Sequence, residues 1–123
     1  MTDTQLSHVH IKRVYDPPGP NDGTRVLIDR LWPRGLAKDQ ARVDLWLKDI
    51  APSAALRKWF GHDPAKWKEF RRQYEAELAG NQEAVEQLRA LAAAGTVTLL
   101  YGAKDKDHNN AVVLKGYLDR LNG

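Results

Sequence analysis

Charged and polar side chains cluster at two points of the sequence, each directly after a run of apolar residues. Residues 29–35 (DRLWPRG) follow the apolar run 26–28, and residues 102–110 (GAKDKDHNN) follow the largely apolar run 96–101 (TVTLLY). Both runs have the composition of buried strands. Because parallel sheets place ligands at the carboxyl ends of their strands, we expect the two polar segments to meet at one binding site.

The first segment offers groups that bind anions. Arg30 and Arg34 could each hold a carboxylate or a phosphate through two parallel hydrogen bonds. Successive residues of a strand point to opposite faces of the sheet, so Asp29 and Arg30 need not line the same pocket. The alternative is a structural pair between an arginine and Asp29 that fixes the strand end. Trp32 is interpreted either as the lid of a pocket or as a cap on the core.

The second segment adds a candidate for proton transfer. His108 carries the only imidazole of this segment, so it is the candidate general acid or base, oriented by Asp29 or Asp105. Asn109 could donate a hydrogen bond to a developing oxyanion, and Lys104 could hold an anionic group. The alternative is that polar residues of this segment cap the next helix: Asp105, Asp107, Asn109 and Asn110.

Other kinds of chemistry have little support in the sequence. The chain has no cysteine, which excludes disulfides, thiolate metal sites and thiol nucleophiles. His8 and His10 alternate on one predicted strand, but two histidines do not make a metal site. No carboxylate or third histidine lies at ligand spacing nearby, so we expect no metal. The glycine motifs that bind dinucleotides or nucleotide phosphates are absent, and we expect no organic cofactor. Apolar runs of about five residues predict no membrane span, and the N-terminus has no secretory pattern, so we expect a cytoplasmic protein.

The net charge of +3 is unevenly distributed along the 123 residues. Residues 1–62 hold ten basic and seven acidic side chains, whereas residues 63–123 hold nine of each. Three charges are few for a nucleic-acid surface and fit a local site for a small phosphorylated or carboxylated molecule. The alternative is a binding module without catalysis, for example one that binds nucleic acid, in which Arg34, Lys38 and Arg42 form part of the binding surface.

The spacing of apolar residues predicts one α/β domain over residues 1–123, with a largely parallel central sheet flanked by helices. We expect residues 26–28 and 97–100 to be neighbouring, parallel, buried strands. The predicted strands cover residues 8–15, 24–31 and 96–101, with a weaker one within 42–47. Helices are predicted over 54–60 and after three further signals: Asp63 with Pro64, Asn81, and the loop that ends at His108. Ser53, Asp63 and Asn81 are the predicted N-caps.

Three stretches in order carry a resemblance to a known family: residues 25–36 (RVLIDRLWPRGL), 46–78, and 98–114 (TLLYGAKDKDHNNAVVL). They resemble the domain of unknown function 488 family, specifically its YeaO-like group, over about residues 8–120. The resemblance implies a small cytoplasmic bacterial or archaeal α/β protein and no established activity. Other branches carry cysteine at the position of residues 102–108, so a thiol mechanism is not implied here. The residues shared by the motifs and the strand-end site are Asp29, Arg30, Arg34, Lys104, Asp105, His108 and Asn109.

Overall fold

The computed structural model of the chain, which describes residues 8–122, is built around a sheet of four parallel strands. The strands are β1 (Val9–Arg13), β2 (Thr24–Leu27), β3 (Leu45–Trp46) and β4 (Val97–Tyr101), in the spatial order β1-β4-β2-β3. The helices are α1 (Lys38–Ala41), α2 (Ala54–Phe60), α3 (Trp67–Ala79), α4 (Gln82–Ala94) and α5 (Asn110–Asn122). The predicted α/β fold with a largely parallel sheet is confirmed.

The two apolar runs form the centre of this sheet. Strands β2 and β4 pair in parallel, with Val26 opposite Leu99 and Leu27 opposite Leu100. The ladder continues past β2, where the amide of Ile28 donates to the carbonyl of Leu100 at 3.1 Å. These side chains are fully buried, as expected for strands that are covered on both faces. The prediction that the two runs are adjacent, parallel and buried is therefore confirmed.

The two faces of the sheet are covered unequally. Helices α2 to α5 pack on one face, where their apolar residues join those of the strands in the larger core cluster. The opposite face carries a smaller cluster of four buried residues: Val14, Leu27, Ala41 and Leu100. Trp32 and Trp46 pack against this smaller cluster and meet edge to face, with ring centroids 5.5 Å apart. The larger core and helices α2 to α5 therefore lie on one face of the sheet, and the two tryptophans lie on the other.

Several predicted boundaries differ from the structure. The first two strands are shorter than predicted, and β2 ends at Leu27 rather than at residue 31. Helix α1 was not predicted, because a single turn of sequence KDQA has no apolar periodicity. The predicted cap Asn81 makes no side-chain capping bond and instead donates to the carbonyl of Asp49 at 2.8 Å. Ser53 and Asp63 do cap, accepting from Leu56 and Ala65 respectively.

Candidate functional site

A cavity of about 520 Å³ lies at the carboxyl ends of β2 and β4. The segment after β2 and the loop between β4 and α5 form part of its wall, as the topology predicted. The rest comes from α2 with its flanking residues and from Phe70 of α3. Phe60 and Phe70 stack with ring centroids 4.2 Å apart and, although only 5% and 2% exposed, contribute a small apolar part of the wall. The cavity thus combines polar strand ends with aromatic surface, as small-molecule sites commonly do.

Asp29 joins the end of β2 to both neighbouring elements. Its Oδ2 accepts from the amide of Gly102 at 2.9 Å, and its Oδ1 accepts from Nδ2 of Asn110 at 3.0 Å. A Cβ at position 102 would lie 3.2 Å from Oδ2, so glycine permits this close approach. Burial raises the pKa of Asp29, although its two hydrogen bonds and the charges of Arg57 and His62 oppose the rise. Asp29 is therefore a partly desolvated carboxylate in the cavity wall.

His108 also lines the cavity, and a carboxylate fixes its ring. Its Nδ1 lies 2.9 Å from Oδ2 of Asp105, and its ring meets Trp67 edge to face at 5.1 Å between centroids. The amide of Asp107 and the side chain of His108 hold the pKa of Asp105 below its usual range. Of the two carboxylates considered for orienting His108, the structure brings Asp105 into contact with it. The other ring nitrogen, Nε2, is the one that could exchange a proton with a ligand.

Asn109 holds the loop to the start of α5. Its side chain is buried, with Oδ1 accepting from the amide of Val112 at 3.1 Å and Nδ2 donating to the carbonyl of Asp105 at 2.9 Å. The first of these bonds is an N-cap bond. Both ends of the amide therefore have partners within the loop and the helix. These contacts favour the capping alternative, and donation to an oxyanion stays a prediction.

The other predicted ligand residues do not all come together. Arg30 lines the cavity with His108, whereas Arg34 and Lys104 are exposed and lie outside its wall. The carbonyl of Arg34 accepts from the hydroxyl of Tyr15 at 2.9 Å, which holds that part of the loop elsewhere. Trp32 also lies outside the wall. It packs on the smaller core cluster, as in the capping alternative, rather than over the cavity.

Three basic or titratable residues of the cavity were not predicted to be there. Arg57 and Lys58 come from α2, and His62 follows its last turn. Arg57 and Lys58 follow Ala54 by three and four residues, which places all three on one face of the helix. The sequence alone contains this spacing and could have indicated the shared face. His62 has a φ of 58°, a left-handed conformation uncommon for residues other than glycine. Such conformations are enriched at functional sites.

Residues 8–122 contain neither a metal site nor a membrane-spanning helix. No group of three or more His, Cys, Asp or Glu side chains in this range could hold a metal ion. Within the same range, no helix has the length and apolar character needed to cross a bilayer. Lys38 and Arg42, which belong to the alternative nucleic-acid surface, are exposed and lie outside the cavity wall.

Comparison with known proteins defines the relationship of this chain to others. A family model described as the inactive DUF488-N3 subclade matches residues 8–121. The chain belongs to the domain of unknown function 488 family. Within that family it is 44% identical over 114 residues to the uncharacterized protein YeaO of Escherichia coli (strain K12), covering 93% of this chain and 99% of YeaO. The resemblance found in the sequence motifs is confirmed.

Similar family members occur in mycobacteria. The uncharacterized protein Rv3073c of Mycobacterium tuberculosis (strain ATCC 25618 / H37Rv) is 40% identical over 113 residues, covering 92% of this chain and 95% of that protein. The uncharacterized protein Mb3100c of Mycobacterium bovis (strain ATCC BAA-935 / AF2122/97) has the same identity and coverage. No solved structure gives a significant match to the chain.

Proposed function

We propose that this member of the domain of unknown function 488 family binds a small anionic molecule, with a carboxylate or phosphate group, in the cavity at the ends of β2 and β4. The observation that carries the proposal is the charge of the cavity wall. Arg30, Arg57 and Lys58 contribute three permanent positive charges, against the single carboxylate of Asp29 among the described residues of the wall. An excess of cations in a concave site attracts anions and raises their local concentration.

Arg57 is the strongest candidate for direct contact with the anion. It is half-buried, its Nε donates to the carbonyl of Pro52 at 3.3 Å, and its charge influences Asp29 inside the cavity. A bond that holds Nε fixes the guanidinium plane and leaves both terminal nitrogens to bind a carboxylate or phosphate. Lys58, one residue further along α2, is exposed and adds a more mobile charge.

We further propose that the cavity binds its ligand without transforming it. The matching subclade is described as inactive. The amide of Asn109 is engaged with Val112 and Asp105, so its contacts support a structural role better than an oxyanion role. Proton transfer by His108, oriented by Asp105, stays a prediction that a reaction assay would have to establish.

Isothermal titration calorimetry with benzoate and phenyl phosphate tests the binding proposal. Both probes place an anion on an aromatic ring suited to the Phe60 and Phe70 wall. We expect Arg57→Ala to weaken binding by about tenfold or more, the loss typical of a charge-assisted hydrogen bond. Arg34→Ala removes the same charge outside the cavity wall and should leave binding within about twofold of the wild type, because it removes only a long-range, salt-screened interaction.

Two results would contradict the proposal. One is that neither benzoate nor phenyl phosphate binds measurably at millimolar concentration. The other is equal weakening by Arg57→Ala and Arg34→Ala, which would show attraction by net charge rather than binding in the cavity.

A further inference from the structure

Asp29 is an unusual component of an anion-binding wall. It places an acceptor-only group beside side chains that attract negative charge. Each of its oxygens accepts one hydrogen bond within the protein, from Gly102 and from Asn110. A carboxylate oxygen has two lone pairs, so each oxygen can accept a second bond from a donor in the cavity.

We infer that the ligand is bipolar: besides its anionic group it carries a protonated amine or a similar N–H donor. This donor forms a hydrogen bond to the carboxylate of Asp29. This inference rests on the proposed anion-binding function and names the class of ligand. The apolar wall of Phe60 and Phe70 would contact the body between the two polar groups.

The electrostatics of the cavity favour such a ligand over a simple anion. Like charges repel strongly where water is partly excluded, so an anion alone would be repelled by Asp29 even though Arg57 and His62 lie near that carboxylate. An N–H donor on the ligand replaces that repulsion with a charge-assisted hydrogen bond. Burial raises the pKa of Asp29, and a cationic donor would oppose this effect of desolvation.

The competing interpretation gives Asp29 a purely structural role. Its bonds to Gly102 and Asn110 connect β2 to β4 and α5, and Arg57 and His62 would then serve as its counter-ions. In that case the carboxylate would not distinguish a ligand that carries a donor from one that lacks it. The two interpretations therefore predict different selectivity for matched ligands.

The test compares 4-(aminomethyl)benzoate with 4-methylbenzoate by calorimetry. The two probes share the ring and carboxylate and differ in the ammonium group. We expect the wild-type protein to bind the ammonium probe about tenfold or more tightly. In Asp29→Asn the preference should fall to about twofold or less, while 4-methylbenzoate binds as tightly as before or more tightly, because the repulsion is gone. Asp107→Asn changes the same charge at an exposed position outside the wall and should keep the preference.

The outcomes separate this inference from the proposed function. Equal affinity of the wild type for both probes, or an unchanged preference in folded Asp29→Asn, overturns the bipolar ligand and leaves anion binding intact. An equal loss of preference in Asp107→Asn overturns it as well. The lack of binding of both probes contradicts anion binding itself.

A measurement on the wild-type protein decides the matter if Asp29→Asn does not fold. Carboxyl-detected NMR follows the titration of Asp29 at saturating concentrations of each probe. The inference requires 4-(aminomethyl)benzoate to lower the pKa of Asp29 relative to 4-methylbenzoate, because a nearby cation favours the carboxylate. Identical titration curves with the two probes overturn it.

Discussion

Replacing Asn109 by alanine tests whether this residue stabilises the fold or serves a ligand. Its side chain accepts a hydrogen bond from the amide of Val112, donates one to the carbonyl of Asp105 and also bonds to the side chain of Tyr101. The first two bonds lie where the loop after β4 enters α5, and Asn109 is 3% exposed. We therefore expect Asn109→Ala to destabilise the protein even when no ligand is present.

The expected magnitude follows from these first two bonds. Removal of an N-cap side chain in favour of alanine costs about 0.5–2 kcal/mol. Loss of the donor to the Asp105 carbonyl adds about 1 kcal/mol to the loss of unfolding free energy. This value is toward the lower end of the range for an unsatisfied group, because Asp105 is half exposed and water can reach it. The combined loss of about 1.5–3 kcal/mol should lower Tm by about 6–12 °C in a domain of this size.

Urea unfolding followed by far-UV circular dichroism measures the loss. Asn109→Ser keeps an oxygen at the cap position and should recover about 1 kcal/mol of the stability that alanine removes. Asp107→Ala, at an exposed position of the same loop, should stay within about 0.5 kcal/mol of the wild type. A loss below about 0.5 kcal/mol for Asn109→Ala would refute the capping role, and donation to an oxyanion would become the better interpretation.

Three further predictions concern stability. Tyr74→Phe should cost about 1–3 kcal/mol in urea unfolding, because the buried hydroxyl donates at 2.7 Å to a main-chain carbonyl that would lose its donor. Gly23→Ala should cost at least about 2 kcal/mol, since φ is +64° and a Cβ would lie 2.2 Å from the carbonyl oxygen of Thr96. Gly35→Ala, with φ of +75° but open space around it, should cost only about 1–2 kcal/mol, and equal Tm losses for the two variants would contradict the steric reasoning. The raised pKa of Asp29 means that the folded state keeps this proton after the unfolded chain has lost it, so the contribution of Asp29 to stability should fall with rising pH across that window. In thermal unfolding between about pH 3 and pH 7, the Tm of the wild type should therefore fall relative to that of Asp29→Asn as the pH rises, and parallel profiles would contradict the assignment.

The central strands could be predicted from sequence because their burial is encoded locally. Residues 26–28 are apolar without interruption and residues 97–100 are apolar except for Thr98, which suits strands covered on both faces. The end of β2 could not be predicted from the same pattern. There the chain leaves the ladder so that Asp29 can reach the amide of Gly102, a contact between residues distant in sequence.

The site was predictable only where topology alone determines it. Because ligands bind at the carboxyl ends of parallel strands, Arg30 and His108 were predicted to share one site, and both line the cavity. It says nothing about α2, whose position depends on how its residues pack against α3, so Arg57 and Lys58 were not predicted. Arg34 was assigned to the site by proximity in sequence, but the bond from Tyr15 to its carbonyl and its exposure belong to a different surface.

Some residues around this cavity stabilise the fold as well as line the cavity, whereas others line the cavity without contributing to the core. Asn109 caps α5, and the next residue, Asn110, donates to Asp29, so the start of the helix and the end of the strand form one hydrogen-bonded unit. A substitution there changes the fold and the site together. A loss of binding would then not show whether a ligand contact or the local structure had been lost. Arg57 and Lys58 lie on the face of α2 that does not enter the core. Variants at these two positions are therefore the cleaner test of whether the cavity binds an anion, because the core packing of α2 through its buried apolar residues is retained.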